Sequence, residues 1–276
     1  MSGARPSQVL ARAERYLERH GVDAPRASAE TLLAAALGTD RAGLFTRAAP
    51  LTAVEARTFG RALCARCEGT PLQHLTGEQA FRRLRLTVRP GVFIPRPETE
   101  VLVEVALGEL AAVEEPLVVD VGTGTGAIAL SVADERRDAR VIAIDRSPAA
   151  VGLARENAAR LGLEVDVREG DLFAPIADLA GRCDLVASNP PYVRTDEVAA
   201  LPADVRVDPI EALVGGPELI TAIADGARAA LRPGGVLVLE IGETQGDEVR
   251  AILAQRFADV RIERDLAGRD RIAVAS

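Results

Sequence analysis

The sequence predicts an α/β protein: a mostly parallel, doubly wound sheet with a closing β-hairpin, preceded by a small N-terminal α-helical domain. From residue 116 onward, short apolar runs alternate with helical stretches, for example LVVDVG followed by GAIALSVADER, and RVIAID followed by SPAAVGLARENAARLG. Nearly continuous apolar strands that alternate with helices are typical of a parallel sheet covered on both faces. The final stretch, DVRIERDLAGRDRIAVAS, predicts two strands that close the sheet as a hairpin.

Three segments are predicted along the chain. Residues 1–76 form a helical domain, because apolar residues recur at helical spacing in VLARAERYL and AETLLAAAL. Proline or glycine marks the helix boundaries at Pro25, Gly38, Pro50 and Gly69. Residues 77–96 form a β-hairpin linker, where apolar and polar residues alternate and Pro90-Gly91 predicts a turn. Residues 97–276 form the main α/β domain, which begins with the helix ETEVLVEVALGEL.

Composition and charge exclude several classes of protein. The 276-residue chain has a net charge of −8 and a pI of about 5.1. Nucleic-acid binding needs positive charge to neutralise phosphates, so we expect no direct contact with nucleic acid. No apolar run approaches the ~18 residues of a membrane span. The N-terminal stretch MSGARPSQVLARAERYLERH lacks the apolar core of a secretory signal, so we expect a cytoplasmic protein.

The absence of lysine and the small number of cysteines exclude several kinds of catalytic and metal site. Every basic residue is arginine, which excludes a Schiff-base lysine and a P-loop lysine. The three cysteines are Cys64, Cys67 and Cys183, and no second cysteine pair completes a zinc site around the first two. We therefore predict no bound metal and no disulfide.

A glycine-rich loop follows the first strand of the predicted sheet, in DVGTGTGA. Glycines permit a tight turn and a close approach of the backbone to a ligand, and the helix behind them offers free N–H groups. The pattern G-x-G-x-x-G/A predicts a cofactor site, and by itself it does not distinguish NAD from S-adenosylmethionine. The candidate binding residues are Gly122, Thr123, Gly124, Thr125 and Gly126.

Acidic residues end the next two predicted strands. Asp145 ends VIAID, roughly 20 residues after the glycine loop, where a carboxylate binds ribose hydroxyls in nucleoside sites. Asp171 ends the third strand, where the edge of an adenine ring would lie. Because ligands bind beyond the carboxyl ends of parallel strands, these acids and the glycine loop predict one nucleoside site.

The tetrapeptide Asn189-Pro190-Pro191-Tyr192 ends the fourth predicted strand and indicates the reaction. An amide or exocyclic amine nitrogen is a poor nucleophile, because its lone pair is delocalised. Two rigid acceptors that bind both N–H bonds would turn that lone pair toward a methyl donor. The Asn189 side-chain oxygen and the Pro190 carbonyl are such acceptors, and the prolines hold the backbone and remove donors. Tyr192 would pack on the planar group.

The sequence resembles a known family at this point. VVDVGTGTGAIALSVA, NPPYV, GVFIPRPETE, LRPGGVLVLEIGETQ and DLAGRDRIAV are similar to the HemK-type protein-(glutamine-N5) methyltransferases. That likeness runs from about residue 72 to residue 276, and the helical part is similar in size and kind. The resemblance implies a Rossmann-like class I S-adenosylmethionine-dependent methyltransferase. It also implies a substrate, the glutamine of the Gly-Gly-Gln motif in class I peptide-chain release factors.

The resemblance also implies roles for particular residues. The glycine loop and Asp145 would hold S-adenosylmethionine, Leu172 would line the adenine pocket beside Asp171, and Asn189 would also lie near the cofactor. The residues that would hold the substrate glutamine are Asn189, Pro190, Pro191 and Tyr192. Residues 94–100, IPRPETE, would close over the site, and Arg96 would help to order that loop or the substrate. The helical domain would bind the release factor, and nothing demands more than a monomer.

Several alternatives stay open at this point. The chain departs from the family pattern at Asp208-Pro209, where Glu-Pro is usual, and at Glu218 and His74. A paralogue that methylates another protein, such as a ribosomal protein, or a small metabolite is therefore an alternative. An adenine or cytosine amino-methyltransferase would hold its amino group in a similar clamp, as we call the acceptor pair of Asn189 and Pro190 in the Asn-Pro-Pro-Tyr tetrapeptide. Such an enzyme should, however, have a basic cleft. An NAD oxidoreductase leaves the clamp unexplained, and a non-catalytic module would be expected to lose it.

Overall fold

The computed structural model describes residues 3–265 and 267–276. The chain divides into two compact units. One unit comprises residues 1–78 with 202–207, and the other comprises residues 79–201 with 208–276. In the described residues, no helix is both long enough and apolar enough to cross a membrane.

The first unit is built from short helices. Their bounds are α1 (Pro6–Arg19), α2 (Pro25–Leu37), α3 (Arg41–Thr46), α4 (Ala53–Cys67) and α5 (Leu72–Thr76). Pro25 begins α2, and Gly38 ends it in a left-handed conformation at φ 60°. Thr52 caps α4 by accepting a hydrogen bond from Glu55 N at 3.2 Å. Leu10, Leu17, Leu33 and Phe59 are fully buried in a common core. The predicted helical character of this segment is thus confirmed.

A short hairpin, β1 (Glu78–Phe81) and β2 (Leu84–Thr87), follows the helices. Pro90-Gly91 forms a turn as predicted, but the turn that joins the two strands of the hairpin lies at residues 82–83. Arg82 adopts a left-handed φ of 49°, and its N–H donates to Glu100 Oε1 at 3.0 Å while its guanidinium pairs with Glu135. These distant carboxylates stabilise a turn that the local sequence does not signal. Residues 90–91 form a separate turn further along.

The second unit contains a seven-stranded sheet. Its strands are β3 (Leu117–Val121), β4 (Arg140–Asp145), β5 (Asp166–Glu169), β6 (Cys183–Ser188), β7 (Leu231–Glu240), β8 (Val260–Arg264) and β9 (Asp270–Ala275). The order across the sheet is β5-β4-β3-β6-β7-β9-β8. The first five strands in that order run parallel, and β9 lies antiparallel to both β7 and β8. The predicted parallel sheet with a closing hairpin is confirmed.

Helices cover both faces of this sheet. They are α6 (Thr99–Glu109), α7 (Ala127–Glu135), α8 (Pro148–Leu161), α9 (Ile210–Leu213), α10 (Pro217–Ala230) and α11 (Gly246–Leu253). Alternate strand residues face opposite cores, since Val118 packs with residues of α6, α7 and α8, whereas Val119 packs with residues of α10 and α11. Two-sided burial explains why the strands are apolar throughout. The sequence did not predict α9 or the 3-10 helices Ala174–Leu179 and Val198–Ala200.

The strand order places a crevice at the centre of the sheet. From β3 the chain winds outward through β4 to β5, and it then returns to β6 on the other side of β3. Val121 of β3 is in register with Ile144 of β4 and with Ser188 of β6. The loops after these strands therefore begin at the same edge, at the switch point where doubly wound sheets bind ligands.

Candidate active site

The glycine loop after β3 requires its glycines for conformational reasons. Gly122, Gly124 and Gly126 have φ angles of 76°, 57° and 88°, in the left-handed region that side chains disfavour. A Cβ on Gly126 would also lie 2.8 Å from Leu130 Cδ1. At Gly122 and Gly124, by contrast, no atom would come within 4 Å of a Cβ. The loop thus presents bare backbone to open space, next to the N-terminus of α7.

A buried acid of β3, Asp120, forms hydrogen bonds with the glycine loop and with α7. Its Oδ2 accepts hydrogen bonds from Thr123 Oγ1 at 2.6 Å and from Ala129 N at 3.2 Å. Burial raises the pKa of Asp120 to about 7, and the charge of Asp145 adds to this effect. Its Oδ1 has no hydrogen-bond partner among the described residues. Sequence reasoning gave Asp120 no role, although a carboxylate inside an apolar strand is itself a signal.

Asn157 ties the loop to the hairpin, and the sequence analysis missed it too. This residue of α8 is fully buried. Its Nδ2 donates to Thr125 O at 3.0 Å and to Thr87 O at 3.1 Å, and its Oδ1 accepts from Thr87 N at 2.8 Å. The amide therefore holds the loop against the end of β2. A polar residue on the buried face of a helix was the available signal.

Asp145 lies at the end of β4, beside the glycine loop. Its Oδ2 accepts from Gly124 N at 2.9 Å, and its Oδ1 accepts from Ser147 N at 2.9 Å. An ionised carboxylate has about four acceptor sites, so about two remain for the hydroxyls of a ligand. The structure brings this acid to the loop as the strand order predicts, and its ribose-binding role stays a prediction.

The segment after β5 completes this side of the site. Gly170 N donates to Asp145 O at 3.0 Å, which joins the ends of β4 and β5. Asp171 is exposed, and Leu172 is half-buried with an unfavourable φ of 46°. Phe173 packs so closely on α10 that a Cβ on Gly226 would lie 2.0 Å from its ring. Asp171 and Leu172 thus both lie at this edge of the sheet, and their role in binding adenine stays a prediction.

On the other side of the switch point, Asn189 and Pro190 follow β6. Asn189 Nδ2 donates to Thr99 Oγ1 at 3.0 Å. Neither Asn189 Oδ1 nor the Pro190 carbonyl accepts a hydrogen bond from any described residue. The preceding Ser188 is buried, and its Oγ donates to Val121 O at 2.7 Å, which locks β6 to β3. The two predicted acceptors therefore remain available on a rigid backbone.

The backbone behind the clamp is held from two directions. Gln245 Nε2 donates to Tyr192 O at 2.9 Å, and Gln245 Oε1 accepts from Gly242 N at 2.9 Å. Gly215 lies so close that a Cβ there would come within 1.9 Å of Pro191 O, so only glycine fits. These supports were not predicted from the sequence, because they come from segments far along the chain.

The Tyr192 side chain is turned toward the protein. Its hydroxyl donates to Glu240 Oε1 at 3.3 Å. Burial raises the pKa of Tyr192 far above its usual value, and the nearby Glu240 charge adds to the rise. The phenol is therefore neutral and does not act as a base. The packing of its ring on a substrate amide stays a prediction.

Arg96 holds the IPRPETE loop through a buried acid. Its guanidinium forms an ion pair with Asp208, and Asp208 Oδ1 also accepts from Ile94 N at 3.2 Å. The same guanidinium lies over the Phe93 ring, with 5.2 Å between Cζ and the ring centroid. Asp208, which stands where the family usually has Glu, anchors the loop through these two contacts. A direct contact of Arg96 with substrate stays a prediction.

These residues fit S-adenosylmethionine. The loop backbone faces open space at Gly122 and Gly124, and the unpartnered Asp120 Oδ1 and the remaining lone pairs of Asp145 offer acceptors nearby. Such acceptors suit the ammonium and ribose hydroxyls of that cofactor. In the part of the chain that the structure describes, no cluster of His, Cys, Asp or Glu has the geometry of a metal site.

Solved structures with the same fold include nucleic-acid methyltransferases. The T. thermophilus 16S rRNA N2 methyltransferase, solved with AdoMet and guanosine, matches 72% of this chain and 49% of its own at 22% identity and a TM-score of 0.55. The hMettl16 catalytic domain, solved with an RNA hairpin, matches 69% of this chain and 74% of its own at 14% identity and a TM-score of 0.58. At these identities the likeness shows the methyltransferase fold alone.

Sequence relatives identify the family. Residues 8–77 match the family described as the PrmC N-terminal domain, and residues 83–204 match the methyltransferase small domain. The release factor glutamine methyltransferase of Moorella thermoacetica is 45% identical over 97% of both chains. That of Streptomyces coelicolor is 40% identical over 96% of both chains. The chain therefore belongs to the release factor glutamine methyltransferase family.

Proposed function

We propose that this protein transfers a methyl group from S-adenosylmethionine to the side-chain amide nitrogen, N5, of the glutamine in the Gly-Gly-Gln motif of class I peptide-chain release factors. One observation carries the proposal. Two unengaged acceptors, Asn189 Oδ1 and the Pro190 carbonyl, follow the strand that neighbours the cofactor loop. A planar NH₂ group is the ligand that two such acceptors suit, and relatives of near-equal length are named for glutamine methylation.

Positioning explains how this pair of acceptors would promote the reaction. A primary amide has two N–H bonds, and its nitrogen lone pair is delocalised into the carbonyl. Acceptance of both N–H bonds by Asn189 and Pro190 raises electron density on nitrogen and orients it. When bound, S-adenosylmethionine supplies an electrophilic methyl group on a sulfonium centre. The amide nitrogen would form a bond to that methyl group as the methyl–sulfur bond breaks, and one amide proton would leave to solvent.

The surrounding residues complete the proposed site. Tyr192 would pack against the amide plane and exclude water from one side, as neutral phenols do in buried sites. Arg96 would hold residues 94–100 over the site through Asp208. The cofactor would be held by the glycine loop and Asp145, with Asp171 and Leu172 beside the adenine.

We also propose a role for each of the three segments of the chain. The helical segment, residues 1–76, would bind the release factor; residues 8–77 of it match the PrmC N-terminal domain. Residues 77–96 would link it to the catalytic segment, residues 97–276. The protein would act as a monomer in the cytoplasm, where release factors work, and would not contact nucleic acid itself, in keeping with its net charge of −8.

Methyl transfer from labelled S-adenosylmethionine to a purified class I release factor tests the proposal. The matched control is the same factor with alanine in place of the glutamine of its Gly-Gly-Gln motif. We expect label on the first factor and none on the second, with the mass of one methyl group on the tryptic peptide that carries the motif. Label on both factors would place the modification elsewhere. Absence of label with intact cofactor binding would favour the paralogue that methylates another protein or a small amide.

A further inference from the structure

The arginines of the helical unit fall into two groups. Residues 1–78 contain ten arginines against eight acidic residues, although the whole chain has a net charge of −8. Three of these arginines, Arg26, Arg41 and Arg47, form ion pairs with acids of the same unit. In the described residues, no carboxylate lies within ion-pair distance of the other seven, which are Arg5, Arg12, Arg15, Arg19, Arg57, Arg61 and Arg66. The positive charge of this unit is therefore carried by arginines that have no carboxylate partner.

Helix α1 presents two of these arginines on one side. Its apolar side, which includes Leu10 and Leu17, is fully buried in the core of the helical unit. Arg12 and Arg19 are exposed, and they lie two helical turns apart, so their side chains leave α1 in nearly the same direction. The half-buried Tyr16 lies between them, one turn from each, and therefore belongs to the same side of the helix.

Helix α4 has a similar exposed side. Its buried side contributes Phe59 and Leu63 to the same core. Arg57 and Arg61 lie one turn apart on the opposite side, and both are exposed. Val54, one turn before Arg57, is 64% exposed although it is apolar. This side of α4 thus combines unpaired positive charge with an exposed apolar side chain.

Contacts at both ends place α1 and α4 side by side. Near their beginnings, Leu51 N donates to Ala4 O at 3.0 Å. Near their ends, Tyr16 Oη lies 4.0 Å from Cys64 Sγ, and Cys64 follows Arg61 by one turn. The exposed sides of the two helices are therefore neighbours along their length. We call this surface the arginine face and define it by Arg12, Arg19, Arg57 and Arg61.

The chemistry of the arginine face suits an acidic protein surface. A guanidinium without an internal partner keeps its donors for a carboxylate, which it binds in a bidentate manner. Arginine and tyrosine are enriched at the centres of protein interfaces, and the exposed Val54 adds an apolar contact.

A nucleic acid is the other polyanion that arginines could bind. Two exposed acids interrupt the positive charge at the ends of the two helices, Glu18 on α1 and Glu68 at the end of α4. The chain outside residues 1–78 is strongly acidic, since the total is −8. A long run of phosphates would be repelled by such charges, whereas a local acidic patch on a protein would not meet them. The charge distribution therefore favours a protein partner.

We infer that the arginine face is a docking surface for an acidic patch of the class I release factor. This inference rests on the proposed function, which makes the release factor the substrate. The glycine loop and the clamp belong to the other compact unit, so the arginine face supplies affinity for the folded protein and no catalytic group. Its loss should therefore weaken binding of the release factor and leave the chemical step intact.

The direct test is a triple variant of the full-length protein that carries Arg12→Gln, Arg19→Gln and Arg61→Gln. Glutamine removes the charge and keeps a similar helix propensity. At low ionic strength we expect KM and Kd for the intact release factor to rise about 5- to 50-fold. The kcat at saturating release factor and the Kd for S-adenosylmethionine should stay within about twofold of wild type.

The matched control removes three arginines from the other unit, in Arg140→Gln, Arg182→Gln and Arg228→Gln. All three are exposed, and none forms an ion pair with a described residue. This variant has the same net charge as the first, and it should keep wild-type KM. A third variant, with Lys at positions 12, 19 and 61, keeps the charge and should recover most of the lost affinity.

Three results would overturn the inference. They are an unchanged KM in the folded glutamine variant, an equal loss of affinity in the control variant, and a labelled RNA hairpin that binds the wild type more tightly than the release factor does and is lost in the glutamine variant. The last result would identify a nucleic-acid partner instead. Failure of the wild-type protein to methylate the release factor would overturn the proposed function, and the Kd values for the release factor would still decide on the arginine face.

Discussion

The two sides of the candidate site are built in different ways. The cofactor side comes mainly from one contiguous loop, whose conformation is dictated by the positive φ angles of Gly122, Gly124 and Gly126. The clamp side is assembled from side chains that lie far apart in sequence, since 90 residues separate Thr99 from Asn189 and 48 separate Tyr192 from Glu240. One side of the site is thus determined by backbone conformation, whereas the other is determined by hydrogen bonds between distant side chains. Substitutions on the two sides should therefore fail in different ways.

The clamp side should show the largest effect, in the variant Asn189→Ala. Loss of one of two acceptors should lower kcat by about 100- to 1,000-fold, the range seen when a single preorganised polar group is removed. The Kd for S-adenosylmethionine should change little, because the glycine loop is intact. Single-turnover methylation and calorimetric cofactor titration measure the two quantities separately. Turnover at the wild-type rate would mean that Asn189 does not accept a substrate N–H.

The next largest effect should come from the loop of residues 94–100, in the variant Arg96→Ala. Removal of the guanidinium breaks the ion pair with the buried carboxylate of Asp208, which should cost about 3 kcal/mol of unfolding free energy. Turnover should fall about tenfold through misplacement of residues 94–100, with unchanged cofactor affinity. Urea unfolding and steady-state kinetics provide the measurements.

A matched control for that variant is Arg194→Ala, since Arg194 is 70% exposed and pairs with an equally exposed acid. Surface pairs of this kind contribute between about 0 and 1 kcal/mol. Equal destabilisation by the two arginine substitutions would show that Asp208 is not the partner that matters.

The cofactor side should fail differently, in Gly126→Ala. A left-handed alanine costs about 1–3 kcal/mol, and its Cβ would collide with Leu130. We expect the Kd for S-adenosylmethionine to rise at least about fivefold, with kcat at saturating cofactor nearly unchanged. Gly152→Ala is the control, because that helical glycine has open space around it and needs no left-handed conformation. A kcat effect without a Kd effect would contradict the comparison.

A change in the pH dependence of stability is expected in Asp120→Asn. The pKa of Asp120 is about 7 in the folded protein and about 4 when unfolded, so its protonated form favours folding. This contribution is fully present below about pH 4 and is lost as pH rises to about 7. The variant should therefore gain stability relative to wild type across that interval and stay level above it.

Asp225→Asn should show the opposite sign, because the Arg256 hydrogen bond lowers the pKa of Asp225 in the folded state. Its ionised form favours folding, so wild type should lose its advantage over this variant as pH falls below about 4. Chemical denaturation at a series of pH values measures both variants. Parallel curves for Asp120→Asn and wild type would show that Asp120 is not the group that titrates.

Most of the fold was predictable from local signals. Alternating apolar runs and helices gave the correct strand sequence, and Ser147 and Pro148 marked the start of α8 as observed. The hairpin turn at residues 82–83 was not predicted, because Arg82 adopts its left-handed conformation with the help of Glu100 and Glu135, which lie far along the chain. Pro90-Gly91 is a stronger local turn signal, and it does form a turn of its own. Local preference was thus overridden by contacts from distant residues.

The sequence by itself determined which groups could do the chemistry. A glycine loop, an acid at the end of the next strand and an Asn-Pro-Pro-Tyr tetrapeptide have identifiable physical functions, because each depends on adjacent residues and on backbone conformations that those residues favour. Their meeting at one edge followed from the rule for parallel sheets.

Only the tertiary structure decided which groups stand behind them. Nothing in the spacing of Asp120, Asn157, Gln245 and Glu240 along the chain indicates their hydrogen-bond partners. Their positions depend on the register of β3, β6 and β7 and on the docking of α6 and α8. Buried polar groups must find partners within the fold, and those partners are selected by packing across the sheet rather than by proximity along the chain.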